Sequence, residues 1–273
     1  MRNKPFDEVM SSIAEGRAVP SVAYSLVRQL QGEKPDLDLT PEQDVLARNV
    51  TAVAYAGAAS TTTAAAESFV LAMAMFPEVQ RRAQEELDKH VGSSRLPDFN
   101  DLKSLTYIKA VVMETLRWMP SAPLGLPHCL TEDDVYKGYH IPRGAMIIAN
   151  VWAMLHNPED YPDSETFKPE RYLTENGAIN PSVRDPCTIA FGFGRRACPG
   201  TDYAISLLTM YIASVVHVFD IQPGVDEAGQ PVQLSSHGSS DAISCPVTFP
   251  RHIRPRSKQA EQLIREVDVS YDN

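Results

Sequence analysis

A chain of 273 residues with 43% hydrophobic and 22% charged residues is large enough to bury a core, so disorder is not its default state. Its formal net charge of −10 argues against a general affinity for nucleic acid or for anionic lipid headgroups. The four cysteines, Cys129, Cys187, Cys198 and Cys245, stand outside any C-x-x-C spacing, which disfavours a zinc knuckle, an iron–sulfur cluster and a C-x-x-C-H attachment site; reduced thiols in an intracellular compartment are expected.

From Met1 to Glu8 no apolar run of signal-peptide length begins, and no later window is long and apolar enough to be read as a membrane span. Two short helices divided near Pro20 are predicted first, then a polar connector from Gly32 to Asp38. Thr40 reads as an N-cap, with Pro41 at the first helical position and Glu42 and Gln43 in the first turn. No proline interrupts the run from there to Met75, which allows a helix of roughly 50 Å at the usual rise per residue. The middle of this helix, 54–66, is almost entirely small residues, a composition that by itself suggests a close helix crossing in a core.

Pro77 opens a further helix, with Val79, Ala83 and Leu87 at helical spacing to near His90 and Gly92 closing it. Asn100 is expected to cap a helix that runs to Trp118, with Leu102, Leu105, Ile108, Val112 and Leu116 on one apolar face. Val135–Ile141 and Ala145–Val151 read as a β-hairpin joined by the turn at Pro142, Arg143 and Gly144. A helix from about Gly200 to Val218 and a strand pair between Gln233 and Pro255 complete the prediction: mainly α with minor β, without internal repeats.

The segment Phe191-Gly192-Phe193-Gly194-Arg195-Arg196-Ala197-Cys198-Pro199-Gly200 meets the pattern F-x-x-G-x-R-x-C-x-G at every fixed position. Each fixed residue suits a thiolate-ligated porphyrin. Cys198 precedes a predicted helix, whose dipole and free amides favour an anionic sulfur. Gly194 and Gly200 permit conformations and close approaches that a side chain would block. Phe191 can cover the sulfur side, and Arg196 can reach a haem propionate. The alternative is a glycine-rich surface turn holding a free cysteine, which would not call for the arginine and the phenylalanine at those offsets.

These residues resemble the haem-binding loop of the cytochrome P450 family. Glu114-Thr115-Leu116-Arg117 is similar to the family's E-x-x-R, and Phe167-Lys168-Pro169-Glu170-Arg171-Tyr172 to its F-x-P-E-R-F, in the family's order along the chain. The resemblance implies a partial P450 fold from the distal helix to the C-terminus, with haem b (heme, iron protoporphyrin IX) ligated by the thiolate of the metal-ligand residue Cys198. It also implies a structural cluster of Glu114, Arg117 and Arg171, in which residues three apart on one helical face can pair and leave donors free.

The small-residue helix resembles the one that crosses the distal haem face and carries A/G-G-x-D/E-T. One register puts Ser60 at the acidic position and Thr61 at the threonine; a second puts Ser60 at the threonine and Ala59 at the acid. In both the acid is missing, so Ser60 and Thr61 are the distal catalytic candidates and proton delivery is expected to depart from the family's pattern. Ser121 to His128 corresponds to a segment lining the substrate pocket, with His128 as a second propionate contact, and Ser239 to Ser244 to a turn touching substrate from the opposite side.

The resemblance implies a haem-thiolate monooxygenase acting on a lipophilic small molecule, with NADPH-cytochrome P450 reductase as its electron source, and its style, through Phe76 to Leu87, is that of fungal secondary-metabolite enzymes. Residues 1–273 are expected to be the C-terminal portion of the domain, with the N-terminal half and any membrane anchor absent and the full-length parent anchored to the endoplasmic reticulum facing the cytosol. Two further readings stand beside it: a reductase-independent isomerase, dehydratase or peroxygenase, and a non-catalytic truncated remnant.

Overall fold

The computed structural model describes residues 3–32 and 38–271, and these form two compact units, Met1–Ser60 and Thr61–Asn273. The expected connector from Gly32 to Asp38 falls, apart from its two end residues, outside the described residues.

In the first unit, α1 (Lys4–Ala14) and α2 (Val22–Gln31) flank Pro20, as expected, and Ser21 caps α2 by accepting from the Tyr24 N–H at 3.1 Å. The long helix α3 (Pro41–Met75) begins in this unit and continues into the next. Its start is a capping box: the Gln43 N–H donates to Thr40 Oγ1 at 3.3 Å and the Thr40 N–H to Gln43 Oε1 at 3.0 Å. Phe6, Val27 and Ala47 form the unit's small core, and Arg48 lies 4.8 Å above the Phe6 ring while pairing with Asp7 and Asp44. The close helix crossing suggested by the small residues is not made at 54–60: all seven are exposed, and a Cβ placed on Gly57 would meet nothing within 4 Å.

The second unit is built on the remainder of α3, α4 (Pro77–His90) and a later helix, α5 (Thr106–Trp118). The helix predicted from Asn100 starts later, because Asn100 precedes only a single tight turn, Asp101–Lys103, and Leu105 leaves the helical backbone (φ −88°, ψ 75°) and breaks the run. Beyond α5, the predicted hairpin is replaced by two small ladders. β1 (His128–Cys129) pairs with β4 (Met146–Ile147), and β2 (Asp134–Tyr136) with β3 (Tyr139–Ile141). The segment read as one strand thus folds on itself at Lys137 and Gly138, both at positive φ (51° and 84°), the geometry of a tight hairpin turn.

Val151 does not extend a strand. It opens α6 (Val151–Leu155), capped by Asn150, whose Oδ1 accepts from the Ala153 N–H at 3.0 Å. A short α7 (Cys187–Ala190) follows, then α8 (Thr201–Val218). The predicted terminal strand pair is also revised. β6 (Arg251–Pro255) pairs antiparallel with β5 (Phe219–Pro223), a strand that directly continues α8, and α9 (Lys258–Tyr271) comes after it. One side of β5 is completed by a side chain: the buried Gln80 amide donates to Ile221 O at 3.0 Å and accepts from the Ile221 N–H at 2.8 Å.

The core runs through Phe69 and Met73 of α3, Ala83 and Leu87 of α4, Ile108 and Val111 of α5, and Ile212 and Val216 of α8. Each large apolar side chain so buried contributes about 1.5–3 kcal/mol. The reading that no segment is apolar enough to span a membrane needs one amendment. Among the described residues α8 has 18 residues at a mean hydropathy of 1.2, yet its Leu208, Ile212, Ala213 and Val216 are spent on this core. The result is a mainly α fold with small two-stranded sheets.

Candidate functional site

Glu114 and Arg117 are both fully buried on α5, and they meet in a fork: Arg117 Nε donates to Glu114 Oε2 and Nη2 to Oε1, each at 2.9 Å. The same Oε1 accepts from Arg171 Nε at 3.2 Å and from the Lys168 N–H at 2.8 Å, so one carboxylate gathers two guanidiniums and a backbone amide. The remaining donors are also placed. Arg117 Nη1 donates to Leu155 O at 3.1 Å, while Arg171 reaches the carbonyls of Pro162, Asp163 and Thr166. Burying this much charge is tolerable only because nearly every polar atom is used. The structure thus brings together the three residues read from the sequence as a scaffold.

An aromatic stack reinforces that cluster. Phe167, which starts the Phe167–Tyr172 segment, stacks on Phe76 (centroids 5.8 Å apart) and meets Trp118 edge-on (5.5 Å), and the Trp118 indole N–H donates to Glu165 O at 2.9 Å. Outside it, Glu170 accepts from the Tyr107 hydroxyl at 2.7 Å and pairs with Arg82 of α4. The Tyr107 phenol is held far above its usual range by burial and by the Glu170 bond, so it stays a donor.

The Cys198 loop is closed by its own backbone: the Cys198 N–H donates to Phe191 O at 2.7 Å, and Cys198 O accepts from Thr201 Oγ1 at 2.8 Å as α8 begins. Phe191 is half-buried against the main core, which anchors the loop, whereas Cys198 is exposed and unbridged. Gly200 has an ordinary φ of −92°, and a Cβ there would stand 3.8 Å from Cys198 Sγ, an ordinary contact. Gly194 opens the short turn Gly194–Arg196, on which Arg196 is exposed. The position needing left-handed backbone that the motif did not flag is Gly192, at φ +79°. Among the cysteines, burial pushes the Cys187 thiol up to about 12 and also raises that of Cys245, which leaves neither suited to act as a thiolate.

On α3, Thr61 is half-buried and Ser60 is exposed, its hydroxyl turned back toward Ala56 O at 3.4 Å. The Thr61 carbonyl accepts from Ser121 Oγ at 2.9 Å, and Ser121 O in turn accepts from the Ser244 N–H at 2.9 Å. The helix and the two segments read as opposite pocket walls therefore meet at Ser121. His128 lies exposed on β1, opposite Ile147.

Three contributors escaped the sequence reading. Glu86 is a charged residue on a charged helix with no local signal of its partner, which sits on α5. Ser121 lay inside a segment assigned as a whole, and nothing in its neighbours points to α3. Gly192 was legible in principle, because it falls in a short glycine-rich loop.

The chain's similarities to known proteins follow the same lines. A family profile described as Cytochrome P450 matches residues 8–239. The cytochrome P450 monooxygenase ple1 of Rhodocybe pseudopiperita is 43% identical over 272 residues, 99% of this chain and 51% of that protein. The cytochrome P450 monooxygenase COX2 of Coprinopsis cinerea is 40% identical over 268 residues, 98% of this chain and 50% of that protein. The cytochrome P450 monooxygenase claR of Ampulloclitocybe clavipes is 40% identical over 271 residues, 99% of this chain and 49% of that protein. The chain spans about half the length of the curated relatives it matches.

Proposed function

The chain belongs to the cytochrome P450 family, and from that membership we propose that it is the haem-binding, C-terminal portion of a monooxygenase that inserts one oxygen atom of O2 into a lipophilic small molecule. The observation that carries this reading is the exposed Cys198 thiol on a loop closed by the 2.7 Å bond from its N–H to Phe191 O. A single soft donor, held from behind by its own loop and open in front, would suit a ligand to haem iron.

In this reading Cys198 would ligate haem b, Arg196 and His128 would pair with its propionates, Phe191 would shield the sulfur side, and Gly194 and Gly200 would keep the loop close. The bound haem supplies the oxygen chemistry, R–H plus O2, two electrons and two protons giving R–OH and water, with the electrons brought by an NADPH-dependent flavoprotein reductase. The loop is pinned at Phe191 and Thr201, which would hold the Cys198 sulfur in place for the iron. Glu114, Arg117 and Arg171 bond no reacting atom; they hold the Phe167–Tyr172 segment against α5. Thr61 Oγ1 is the hydroxyl that orients a proton donor on the distal side, and Ser60 has no carboxylate with which to relay that proton.

Ser60, with its hydroxyl turned to Ala56 O, also favours a second reading, chemistry that needs no proton relay and no reductase. Both readings are tested on the chain expressed with haem supply, reduced, and exposed to carbon monoxide. The Soret shift of a thiolate-ligated ferrous carbonyl is expected, and its loss in Cys198→Ala. Absence of that band in the unaltered protein overturns both. Product from hydroperoxide without reductase selects the second.

A further inference from the structure

Ser121 makes two hydrogen bonds that join segments far apart in sequence. Its hydroxyl donates to the main-chain carbonyl of Thr61 at 2.9 Å, and its own carbonyl accepts from the Ser244 N–H at 2.9 Å. Ser244 belongs to a closed turn: its Oγ donates to Ser239 O at 3.2 Å, the Ser239 N–H donates to Cys245 O at 2.7 Å, and the Cys245 N–H to Ser239 Oγ at 3.3 Å. The turn is backed closely, since a Cβ on Gly238 would stand 2.3 Å from Ser244 Oγ and 3.5 Å from Met119 Cε. A displacement of the turn is therefore transmitted to Ser121, and through its hydroxyl to the backbone of α3 at Thr61.

The position of that bond along α3 matters. Thr61 ends the exposed stretch of small residues; Ala64, Ala65 and Ser68 after it are buried. The Ser121 hydroxyl thus grips the helix at the residue where its packing begins. Side-chain donors to a helix carbonyl add a second claim on an acceptor that the helix ladder already uses, and such sites bend or pin a helix locally.

We propose that Ser121 is a positioning residue for Thr61, fixing the α3 backbone at the distal hydroxyl and tying it to the Ser239–Cys245 turn. The consequence for chemistry rests on the function proposed above. The geometric part stands on the apoprotein and can be tested without haem.

The test compares Ser121→Ala, which removes the hydroxyl, with Ser121→Thr, which keeps it. Hydrogen exchange of the α3 amides from Thr62 to Glu67 is followed, with the α4 amides as the internal reference. About fivefold faster exchange is expected in Ser121→Ala, the size of losing one ordinary hydrogen bond, and near-normal exchange in Ser121→Thr. In the haem-loaded protein supplied with reductase and substrate, a larger share of electrons lost to hydrogen peroxide is expected in Ser121→Ala, with the carbon monoxide band unchanged. Unchanged exchange in Ser121→Ala overturns the proposal, as does Ser121→Thr behaving like Ser121→Ala. Faster exchange with an unaltered peroxide share reduces Ser121 to a structural contact and also overturns it. If no haem is bound at all, the function proposed above fails, while the exchange comparison still decides whether Ser121 fixes the helix.

Discussion

Glu86 on α4 supplies the N-terminal cap of the helix on which Tyr107 sits: its Oε1 accepts from the Tyr107 N–H at 2.8 Å and its Oε2 from the Ile108 N–H at 3.0 Å. A helix whose first residues offer no local cap borrows one from a neighbour, and a carboxylate is well suited because it also faces the positive end of the helix dipole. This bond fixes where α5 starts, and so where Glu114 and Arg117 come to lie.

Removing that cap should weaken the whole second unit. Glu86→Ala is expected to cost about 1–2 kcal/mol in chemical denaturation, and Glu86→Gln about half of that, since the amide puts an NH2 group, which cannot accept, where one of the two accepting oxygens stood. Equal stability of all three proteins would show that α5 starts where it does for other reasons.

Breaking the buried ion cluster should be more costly. Glu114→Ala leaves the Arg117 guanidinium without its carboxylate in a site with no solvent access, so a loss of about 3–5 kcal/mol is expected, whereas Arg117→Ala leaves Glu114 still paired with Arg171 and should cost somewhat less. Arg117→Lys should recover little, because one ammonium cannot reproduce the fork to Glu114 and the bond to Leu155 O together. Arg171→Ala, which spares the Glu114–Arg117 pair, should cost less than either. Thermal or denaturant midpoints of the four variants rank them directly.

The same cluster shows what sequence can and cannot carry. Spacing placed Glu114 and Arg117 on one face, and family resemblance added Arg171, because short-range geometry and motif order are both written locally. The Cys198 loop was legible for the same reason. Asn100, by contrast, has the composition of a cap and does not cap α5; the capping group lies on another helix. The strand from Val135 to Ile141 alternates plausibly, yet Lys137 and Gly138 turn it back on itself, a competition between strand pattern and turn chemistry that the turn wins. β5 was hidden because it runs on from α8 without a break, its partner strand lies some thirty residues later, and the Gln80 amide that completes it comes from α4.

Acid should destabilise the protein in two separate windows. His217 is buried, its Nε2 donates to Arg95 O at 3.0 Å, and its pKa is lowered, first by burial. A histidine depressed in the folded state contributes fully above its unfolded value of about 6.5, and that contribution is lost as pH falls from there through the folded value. Asp101, held down to about 2 by its hydrogen bonds with Arg95, acts lower: its contribution is present above the ordinary carboxylate value and lost as pH falls through 2. Stability measured against pH should therefore fall first in the histidine window, and His217→Gln should flatten that limb while leaving the lower one. His156, also depressed by burial, adds to the first limb, so His156→Gln should flatten it further. An unchanged upper limb in the double variant would remove both histidines from the account.

Two glycines of the Cys198 loop should answer differently to the same change, because they serve different purposes. Gly192 stands at φ +79°, where an alanine is strained by about 1–2 kcal/mol whatever space surrounds it. Gly200 has an ordinary φ of −92°, and its Cβ would lie 3.8 Å from Cys198 Sγ, an ordinary contact. Gly192→Ala is thus expected to lower the melting temperature and weaken haem retention together, since the loop that presents the thiol is strained in both states. Gly200→Ala should leave the melting temperature of the haem-free chain near its original value, and any effect should show only when a ligand is brought to the sulfur, as a shift in the carbon monoxide band or a faster loss of haem. Were Gly200→Ala to destabilise the haem-free chain as much as Gly192→Ala, the glycine would be serving the backbone rather than the approach of a ligand to Cys198.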